Sequence, residues 1–469
     1  MTEQSTIAAI ATGTGGGIGI LRISGPRALE VAAAIFRPRR ADKSPLTMAG
    51  YTGALGRVVD RGEELDEAVL FVYRAPHSYT GEDGAELCCH GGRFVLEQAL
   101  AAAVAQGARP AAPGEFTKRA YLNGKMSLTQ AESVADIIAG ESRQAVRAAL
   151  RARDGALFRA VMEVADRLMD AAAHISAWID YPEEDVEAVL TGELSALLEE
   201  ARGELSRLAG TYRTARLMRE GVPTAIVGGA NVGKSTLMNL LAGCQRSIVT
   251  DIPGTTRDVV RETVRVGDAV LDLSDTAGIR ETDDPVERIG VERSRSRLES
   301  AELVLAVLDG SRPLSREDRA LLQEIAARTR PGGSQDLQGE VMAIALINKS
   351  DLPQALSREE VLAYLPQVLE ISARDGHGLG ELEAAVARLT GAARLDPSAG
   401  MVANQRQLDC VARAEAALAE GAEALAQGQT LDAVSVCLEE AIDALLELTG
   451  QRASAQVVDR VFEQFCVGK

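Results

Sequence analysis

Residues 224–235 constrain the fold of this chain more than any other stretch. Their apolar start, 225–227, is typical of a buried strand, and the apolar pattern over 236–241 is typical of a helix. Between them, Gly228 and Gly233 stand at the Gly-x-x-x-x-Gly-Lys-Ser spacing of a phosphate-binding loop. A strand, this loop and a helix in that order predict an α/β nucleotide-binding domain.

Each part of this loop has a chemical role. Its glycines let consecutive backbone N–H groups point inward at a phosphate, and the helix N-terminus adds partial positive charge. Lys234 can reach the outer phosphates, and the Ser235 hydroxyl suits Mg²⁺. The alternative is a glycine-rich turn that binds nothing. It is disfavoured because three further nucleotide motifs follow in order.

Composition bounds the class of protein. The chain has 469 residues, enough for about three domains of ordinary size. No apolar run reaches the ~18 residues of a membrane span, and the N-terminus has no basic region or apolar core of a signal peptide. Six scattered cysteines without a Cys-x-x-Cys pair favour reduced thiols. We therefore expect a cytoplasmic protein without a membrane segment. A net charge of −18 argues against bulk nucleic-acid binding by the whole surface.

Residues 1–122 are predicted to form a mixed α/β domain. Arg22 interrupts an apolar strand near its start, after a glycine-rich loop. A lone arginine in a strand is typical of an edge or surface position. The alternative is that Arg22 faces an anionic ligand.

The sequence Cys88-Cys89-His90 resembles part of a metal site. No second ligand cluster stands at zinc spacing, and buried thiols beside a turn are ordinary. We therefore predict no metal here.

The remainder divides into helical and alternating segments. Residues 123–220 and 393–469 are predicted to be helical, and an amphipathic stripe over 434–448 ends at Gly450. Residues 221–392 alternate strands with helices, as a mostly parallel sheet requires. Because the late amphipathic helix needs a partner surface, we predict one discontinuous helical domain with a Ras-like nucleotide-binding domain inserted into it.

Three further motifs specify the nucleotide. Asp275-Thr276-Ala277-Gly278 follows a predicted strand, where an Asp senses the γ-phosphate and supports Mg²⁺. Asn348-Lys349-Ser350-Asp351 follows another, and the Asp351 carboxylate can accept two hydrogen bonds from guanine that adenine cannot offer. Ser372-Ala373-Arg374 completes the base pocket. This order of motifs predicts GTP binding and excludes a plain metabolic NTPase.

Two features are unusual for a GTPase. Ile279 stands where many regulatory GTPases have a glutamine that orients water, so the water-positioning group must come from elsewhere. The switch segment 250–258 is rich in hydroxyls and carbonyls, a setting for a monovalent cation.

Several segments resemble the MnmE (TrmE) family of tRNA-modification GTPases. Residues 6–12, 21–26, 113–117 and 122–125 resemble the N-terminal domain of that family, and 248–258 its switch segment. Residues 465–469 resemble its C-terminal Cys-Ile-Gly-Lys signature, with Val467 for Ile. The resemblance extends over essentially the whole chain.

The resemblance implies a GTP hydrolase that modifies carbon 5 of the wobble uridine in certain tRNAs. It implies a homodimer formed through the N-terminal domain, and a flavoprotein partner, MnmG, in a heterotetramer or larger complex. It also implies a 5-formyl-tetrahydrofolate one-carbon donor, and hydrolysis stimulated by K⁺-dependent dimerisation of the nucleotide domain. A regulatory GTPase switch in ribosome assembly is the alternative, but it has no use for Arg22, Lys125 or the terminal signature. The sequence shows no clear basic stripe that would locate tRNA.

By motif position, the resemblance assigns site residues. The candidate catalytic residues are Glu287, Lys234 and Cys466, and whether Cys466 reacts or packs stays open. The candidate GTP contacts are Asn231, Val232, Gly233, Lys234, Ser235, Thr236, Thr250, Thr255, Thr256, Asp275, Thr276, Ala277, Gly278, Asn348, Lys349, Asp351, Ser372, Ala373 and Arg374. The folate contacts are Arg22, Glu86, Lys125 and Lys469. The Mg²⁺ ligands are Ser235 and Thr256, and the K⁺ ligands are Asn231, Thr250, Ile252 and Thr255.

The sequence departs from the family pattern at three places. Gly13-Thr14 replaces a common Pro-Pro in a loop one residue shorter, Ala230 replaces a common Pro, and Arg374 replaces the usual Lys. None of these changes removes a functional group named above.

Overall fold

The fold is given by a computed structural model that describes residues 5–180, 190–244, 263–273, 301–329, 341–391, 399–463 and 465–468. The bounds and contacts below refer to these residues.

The N-terminal part is a seven-stranded sheet with the order β3-β4-β5-β6-β2-β1-β7. Neighbouring strands are antiparallel except β1 and β7. Its elements are β1 (Ile7–Ile10), β2 (Ile18–Ser24), α1 (Ala28–Ile35), β3 (Phe36–Pro38), β4 (Thr52–Asp60), β5 (Glu63–Tyr73), β6 (Gly84–His90), α2 (Arg93–Ala105) and β7 (Arg109–Pro110). The edge position expected for Arg22 is wrong, because β2 lies between β6 and β1.

A run of helices follows this sheet, as the sequence predicts. They are α3 (Glu115–Leu122), α4 (Leu128–Ala139), α5 (Arg143–Arg153), α6 (Ala156–Asp180), α7 (Thr191–Gly210) and α8 (Tyr212–Glu220). Ser127 begins α4 with a capping box, in which its hydroxyl accepts from the Gln130 N–H and the Gln130 side chain accepts in return.

The next segment contains a six-stranded sheet with the order β13-β12-β11-β8-β10-β9. All neighbours are parallel except β9 and β10. Its elements are β8 (Val222–Val227), α9 (Lys234–Cys244), β9 (Thr263–Val266), β10 (Ala269–Asp272), β11 (Leu303–Asp309), α10 (Arg316–Arg328), β12 (Met342–Asn348), α11 (Arg358–Leu362), β13 (Val368–Glu370) and α12 (Leu379–Leu389). Every residue of β12 is buried, the pattern of a parallel strand covered on both faces.

Three helices close the described chain: α13 (Gln405–Ala426), α14 (Leu431–Thr449) and α15 (Ala455–Phe462). Residues of α6 and α7 share one hydrophobic core with residues of α13 and α14. Leu168, Leu198, Leu418 and Leu445 from these four helices are each at most 1% exposed. One helical core therefore forms from segments on both sides of the parallel sheet in the sequence.

A buried ion pair also joins these two segments. Glu132 of α4 accepts hydrogen bonds of 2.7 and 2.8 Å from the Arg406 guanidinium and one of 2.7 Å from Gln407. Burial opposes the charge of Arg406, but its bonds to Glu132 leave its pKa raised. Removing one partner of such a pair typically costs about 3–5 kcal/mol, because the other charge is left without a partner at the contact between α4 and α13.

None of the helices in the described ranges is both long enough and apolar enough to cross a membrane.

Candidate functional site

The predicted phosphate-binding loop connects a strand to a helix. The strand β8 ends at Val227 and α9 begins at Lys234. A Cβ on Gly228 would lie 2.3 Å from the Val307 carbonyl oxygen, and one on Gly233 would lie 2.2 Å from Asn348 Nδ2. Only glycine fits at these two positions, so the loop keeps its backbone close to the ends of β11 and β12.

Lys234 lies inside this loop. Its Nζ donates to the carbonyl oxygens of Gly228 at 3.0 Å and Gly229 at 2.6 Å, and burial lowers its pKa. Ser235 is half-buried and Thr236 exposed in the first turn of α9. The positive end of the helix and the ammonium group therefore converge where an anion would bind.

Asn348 connects the phosphate loop to the predicted base pocket. Its Nδ2 donates to the Val232 carbonyl at 2.8 Å, and its Oδ1 accepts from the Ala373 N–H at 2.9 Å. The side chain is 3% exposed. The Asn348 side-chain amide thus holds the loop and the predicted base pocket at a fixed separation.

The predicted base-pocket residues come together at the ends of β12 and β13. The Ser372 hydroxyl donates to Asp351 Oδ1 at 2.9 Å. Lys349 Nζ lies 2.7 Å from Asp309 Oδ2, and Arg374 is exposed. The Asp351 side chain is held by one oxygen at an exposed position, so its carboxylate can accept from a base.

Asp309 is a site residue that the motifs do not predict. It ends β11, which is parallel to β12. Burial would raise its pKa, but bonds from Lys349 and Ser311 outweigh burial and hold the pKa of Asp309 below its usual value. Its position at the carboxyl end of a parallel strand is the signal that could have found it.

A cavity of about 510 Å³ lies between the N-terminal sheet and the helices α4 and α5. It is separate from the predicted nucleotide site and is here called the second cavity. Arg22 Nε donates to Glu86 Oε1 at 2.7 Å, directly across the β2–β6 pairing. Tyr73 donates to the other oxygen of Glu86 at 3.1 Å. Burial, aided by the charge of Glu86, raises the pKa of Tyr73 to about 12, so the phenol remains a neutral donor.

The walls of this cavity are aromatic and aliphatic. The Arg22 guanidinium carbon lies 5.6 Å from the centroid of the Phe116 ring. Tyr79 lines the sheet side, while Ile137 and Arg153 line the helical side. An aromatic pocket lined by Arg22 and Arg153 suits a planar ring system that carries a carboxylate.

The C-terminal tail reaches the same arginine. Arg22 Nη1 donates to the Gly468 carbonyl at 2.9 Å, and the Gly114 N–H donates to the Cys466 carbonyl at 3.3 Å. A Cβ on Gly468 would lie 2.6 Å from the Ile10 carbonyl oxygen, so a glycine is needed for the tail to lie this close to β1. Cys466 is exposed, so its thiol is not buried in the core of this chain.

Lys125 lies beside this cavity without touching Arg22 or Glu86. Its Nζ donates to the Pro76 carbonyl at 3.0 Å. Its side chain also lies close to Gly81, since a Cβ on Gly81 would be 3.4 Å from Lys125 Cδ, and Gly81 follows the cavity residues Ser78 and Thr80 in the chain. The structure thus brings Arg22 and Glu86 into contact and leaves Lys125 at the rim.

The chain matches two family models. The model described as "GTP-binding protein TrmE N-terminus" matches residues 6–125, and the one described as "MnmE helical domain" matches residues 128–466. A protein of Symbiobacterium thermophilum named "tRNA modification GTPase MnmE" is 44% identical, over 99% of this chain and 100% of that protein. The chain belongs to the MnmE family.

Two further MnmE proteins are similar over their full lengths. The one from Clostridioides difficile is 39% identical and the one from Geobacillus kaustophilus 40% identical, each over 100% of both chains. The N-terminal family model spans Arg22, Glu86 and Lys125, and the helical one spans the phosphate loop. The two matched ranges therefore include the residues of the phosphate loop and of the second cavity.

Cys88, Cys89 and His90 are the last three residues of β6. The Cys88 side chain is half-buried and that of Cys89 buried, and burial raises the pKa of Cys89 to about 12. His90 Nδ1 lies 2.7 Å from Asp66 Oδ1. Among the described residues, no three His, Cys, Asp or Glu side chains converge in a way that could hold a metal ion.

A larger cleft, of about 630 Å³, lies between α3 and α15. Its charged side chains neutralise one another, since Arg109 pairs with Glu115 and Lys118 pairs with Asp459. It contains none of the predicted catalytic, nucleotide, folate or metal-binding residues.

Several predicted site residues lie outside the described ranges. They are Thr250, Ile252, Thr255, Thr256, Asp275, Thr276, Ala277, Gly278, Glu287 and Lys469.

Proposed function

We propose that this chain hydrolyses GTP as part of a tRNA-modification reaction. Its relatives carry that activity in their names. The observation that carries the proposal is the Asn348 side chain, which joins a phosphate-binding loop to a guanine-type base pocket. An adenine-specific or metabolic NTPase has no need for the Asp351 carboxylate beside Ser372.

The residues present fit a nucleotide with its magnesium ion. The glycine positions keep the backbone close, Lys234 supplies an ammonium group, and the first turn of α9 supplies Ser235. Ser235 and Thr256 are the proposed Mg²⁺ ligands, and Mg²⁺ neutralises charge on the phosphates when bound. The loop residues 231–236, with Thr250, Thr255, Thr256 and 275–278, complete the proposed GTP contacts.

Hydrolysis is proposed to depend on K⁺ and on dimerisation of the nucleotide domain. Asn231 lies exposed in the loop with a left-handed backbone (φ 59°), at the mouth of the phosphate site. Together with Thr250, the Ile252 carbonyl and Thr255 it would hold a K⁺ ion. This cation supplies positive charge that other GTPases take from an arginine. Glu287 is the proposed water-orienting carboxylate, since Ile279 offers no hydrogen bond.

The second cavity is proposed to bind 5-formyl-tetrahydrofolate. Arg22 suits the glutamate carboxylates of a folate, and Tyr73, Tyr79 and Phe116 offer aromatic surface. Lys125 at the rim and Lys469, one residue beyond the Gly468 contact, complete the proposed contacts. Exposed Cys466 in the same tail is available for chemistry.

The proposed overall reaction modifies carbon 5 of the wobble uridine of certain tRNAs in the cytoplasm. The chain would act as a homodimer through its N-terminal sheet and with the flavoprotein MnmG. Support comes from family membership and from the tail, which ends at the proposed folate site.

Replacing Arg22 with methionine should weaken 5-formyl-tetrahydrofolate binding by about 10–100-fold, because a charge-assisted hydrogen bond is lost. Isothermal titration calorimetry on the full chain measures this change. Arg27→Met is the matched control, since Arg27 is an exposed arginine that pairs with Glu30 on the same sheet domain.

The variant R22M/E86Q tests the two paired folate contacts together and does not leave the Glu86 charge unpaired, and its thermal unfolding temperature shows whether the sheet still folds. Wild-type affinity in both variants would exclude Arg22 as a folate contact. Absence of binding by the wild-type protein would favour the regulatory GTPase switch.

A further inference from the structure

The helix α5 is cationic in an acidic protein. Its eleven residues contain four arginines and no carboxylate, whereas the whole chain has a net charge of −18. Ala145 and Ala149 are buried, while Arg143, Arg147 and Arg151 are exposed. Small residues thus pack inward, and the three arginines, here called the arginine stripe, point outward.

The arginine stripe has no partner among the described residues. No hydrogen bond or ion pair to Arg143, Arg147 or Arg151 occurs there. The nearby helix α8 differs, because its Arg213 and Arg216 both contact Glu302, and its Arg219 lies 3.8 Å from Asp136 of α4. The arginines of α8 join parts of the fold, whereas those of the stripe are available to a partner.

The stripe has a regular spacing. Residues four apart on a helix are separated by about 6 Å along its axis, so three guanidinium groups extend over about 12 Å. Guanidinium groups bind phosphate oxygens in a bidentate manner. A row of this kind suits a phosphate backbone more than a single anion.

The stripe runs toward the end of α5 that borders the second cavity. Arg153, the last residue of α5, lines that cavity together with Ile137 and Ile138 of α4. Residues two apart on a helix lie on nearly opposite faces, so Arg153 is close to Arg151 along the axis but does not belong to the stripe. A polyanion bound along the stripe would therefore end near the cavity that also contains Arg22.

We propose that the arginine stripe binds the phosphate backbone of the tRNA anticodon arm beside the wobble nucleotide. This inference rests on the proposed function. Charge complementarity supports RNA as the occupant. Arginine is common in protein interfaces too, but α5 exposes no large apolar side chain that would form the desolvated core of such an interface.

The test measures binding of a fluorescein-labelled anticodon stem-loop RNA, with uridine at the wobble position, to the full chain by fluorescence anisotropy. The variant R143Q/R147Q/R151Q should bind on the order of tenfold more weakly. The slope of the logarithm of its RNA affinity against the logarithm of the salt concentration should be shallower by about 2–3. Each phosphate contact contributes about 0.7–0.9 to this slope. The control R40Q/R57Q/R202Q removes the same charge from exposed arginines that face Asp42, Glu64 and Glu199. It should bind like the wild type.

Unchanged affinity and salt slope in the stripe variant would overturn the proposal, as would an equal loss in the control. Loss of assembly with MnmG together with normal RNA binding would assign the stripe to a protein partner instead, which also overturns it. Failure of the wild type to bind the RNA would overturn it too. In that case two other measurements test the proposed function separately. They are the GTP hydrolysis rate, which the stripe variant and its control should share with the wild type, and the content of modified wobble uridine in cellular tRNA.

Discussion

Replacing Lys234 with alanine should lower the rate of GTP hydrolysis by about 10²–10³-fold, the usual effect of removing a charge aimed at the transition state. In the structure, the ammonium group is held by the Gly228 and Gly229 carbonyls, in the loop that is proposed to bind phosphate. Alanine keeps the helix start of α9 and removes only the cation. Single-turnover phosphate release measures the rate.

The matched control is Lys118→Ala, which removes an ammonium group from α3 and leaves the nucleotide domain intact. A rate for Lys234→Ala within a few-fold of the wild type would exclude the proposed phosphate site.

The same assay in KCl and in NaCl tests whether hydrolysis depends on K⁺. Equal wild-type rates in both salts would remove K⁺ from the account.

Replacing Asp351 with asparagine should change the base preference. In the proposed site the Asp351 carboxylate would accept from both guanine donors, whereas asparagine would oppose one of them with an N–H group. We expect GTP affinity to fall on the order of 10²–10⁴-fold. The affinity for XTP should rise, because xanthine carries a carbonyl group where guanine carries an amino group. Competition against a fluorescent nucleotide measures both affinities.

The matched control is Asp375→Asn. Asp375 also contacts the Ser372 hydroxyl, at 3.2 Å, but does not belong to the predicted base motif. An unchanged GTP preference in Asp351→Asn, or the same switch in Asp375→Asn, would contradict the assignment of Asp351.

The local structure of the nucleotide domain could be predicted from the sequence. The turn from β8 into α9 follows from glycine spacing and from apolar runs that lie within about a dozen residues of each other. The alternation of strands and helices after it likewise follows from short-range pattern. The short strands β3, β7 and β9 could not be predicted, since two to four residues carry too little periodicity.

The second cavity depends on pairings that no local pattern contains. Arg22 lies in the interior of the sheet because β6, more than 60 residues later, pairs with β2. The Gly468 contact with Arg22 spans 446 positions. The helical wall from Ile137 and Arg153 also comes from elsewhere in the chain. Only a family resemblance could place these groups together in advance.

The arginine stripe shows a different limit. Its residues are separated by uncharged residues in an acidic chain, so no basic run is visible in the sequence. Their shared direction follows only once α5 and its buried face are known. That no side chain in the described ranges pairs with these arginines is also a property of the fold.

The central claim is that GTP hydrolysis and the second cavity serve one reaction on tRNA. The most direct measurement is mass spectrometry of wobble uridine in tRNA from cells that lack the native gene and express one variant of this chain. We expect the wild type to restore the carbon-5 modification. We expect Lys234→Ala and Arg22→Met each to leave the wobble uridine unmodified, although they alter sites in separate sheets. Wild-type levels of modification in either variant would contradict the account.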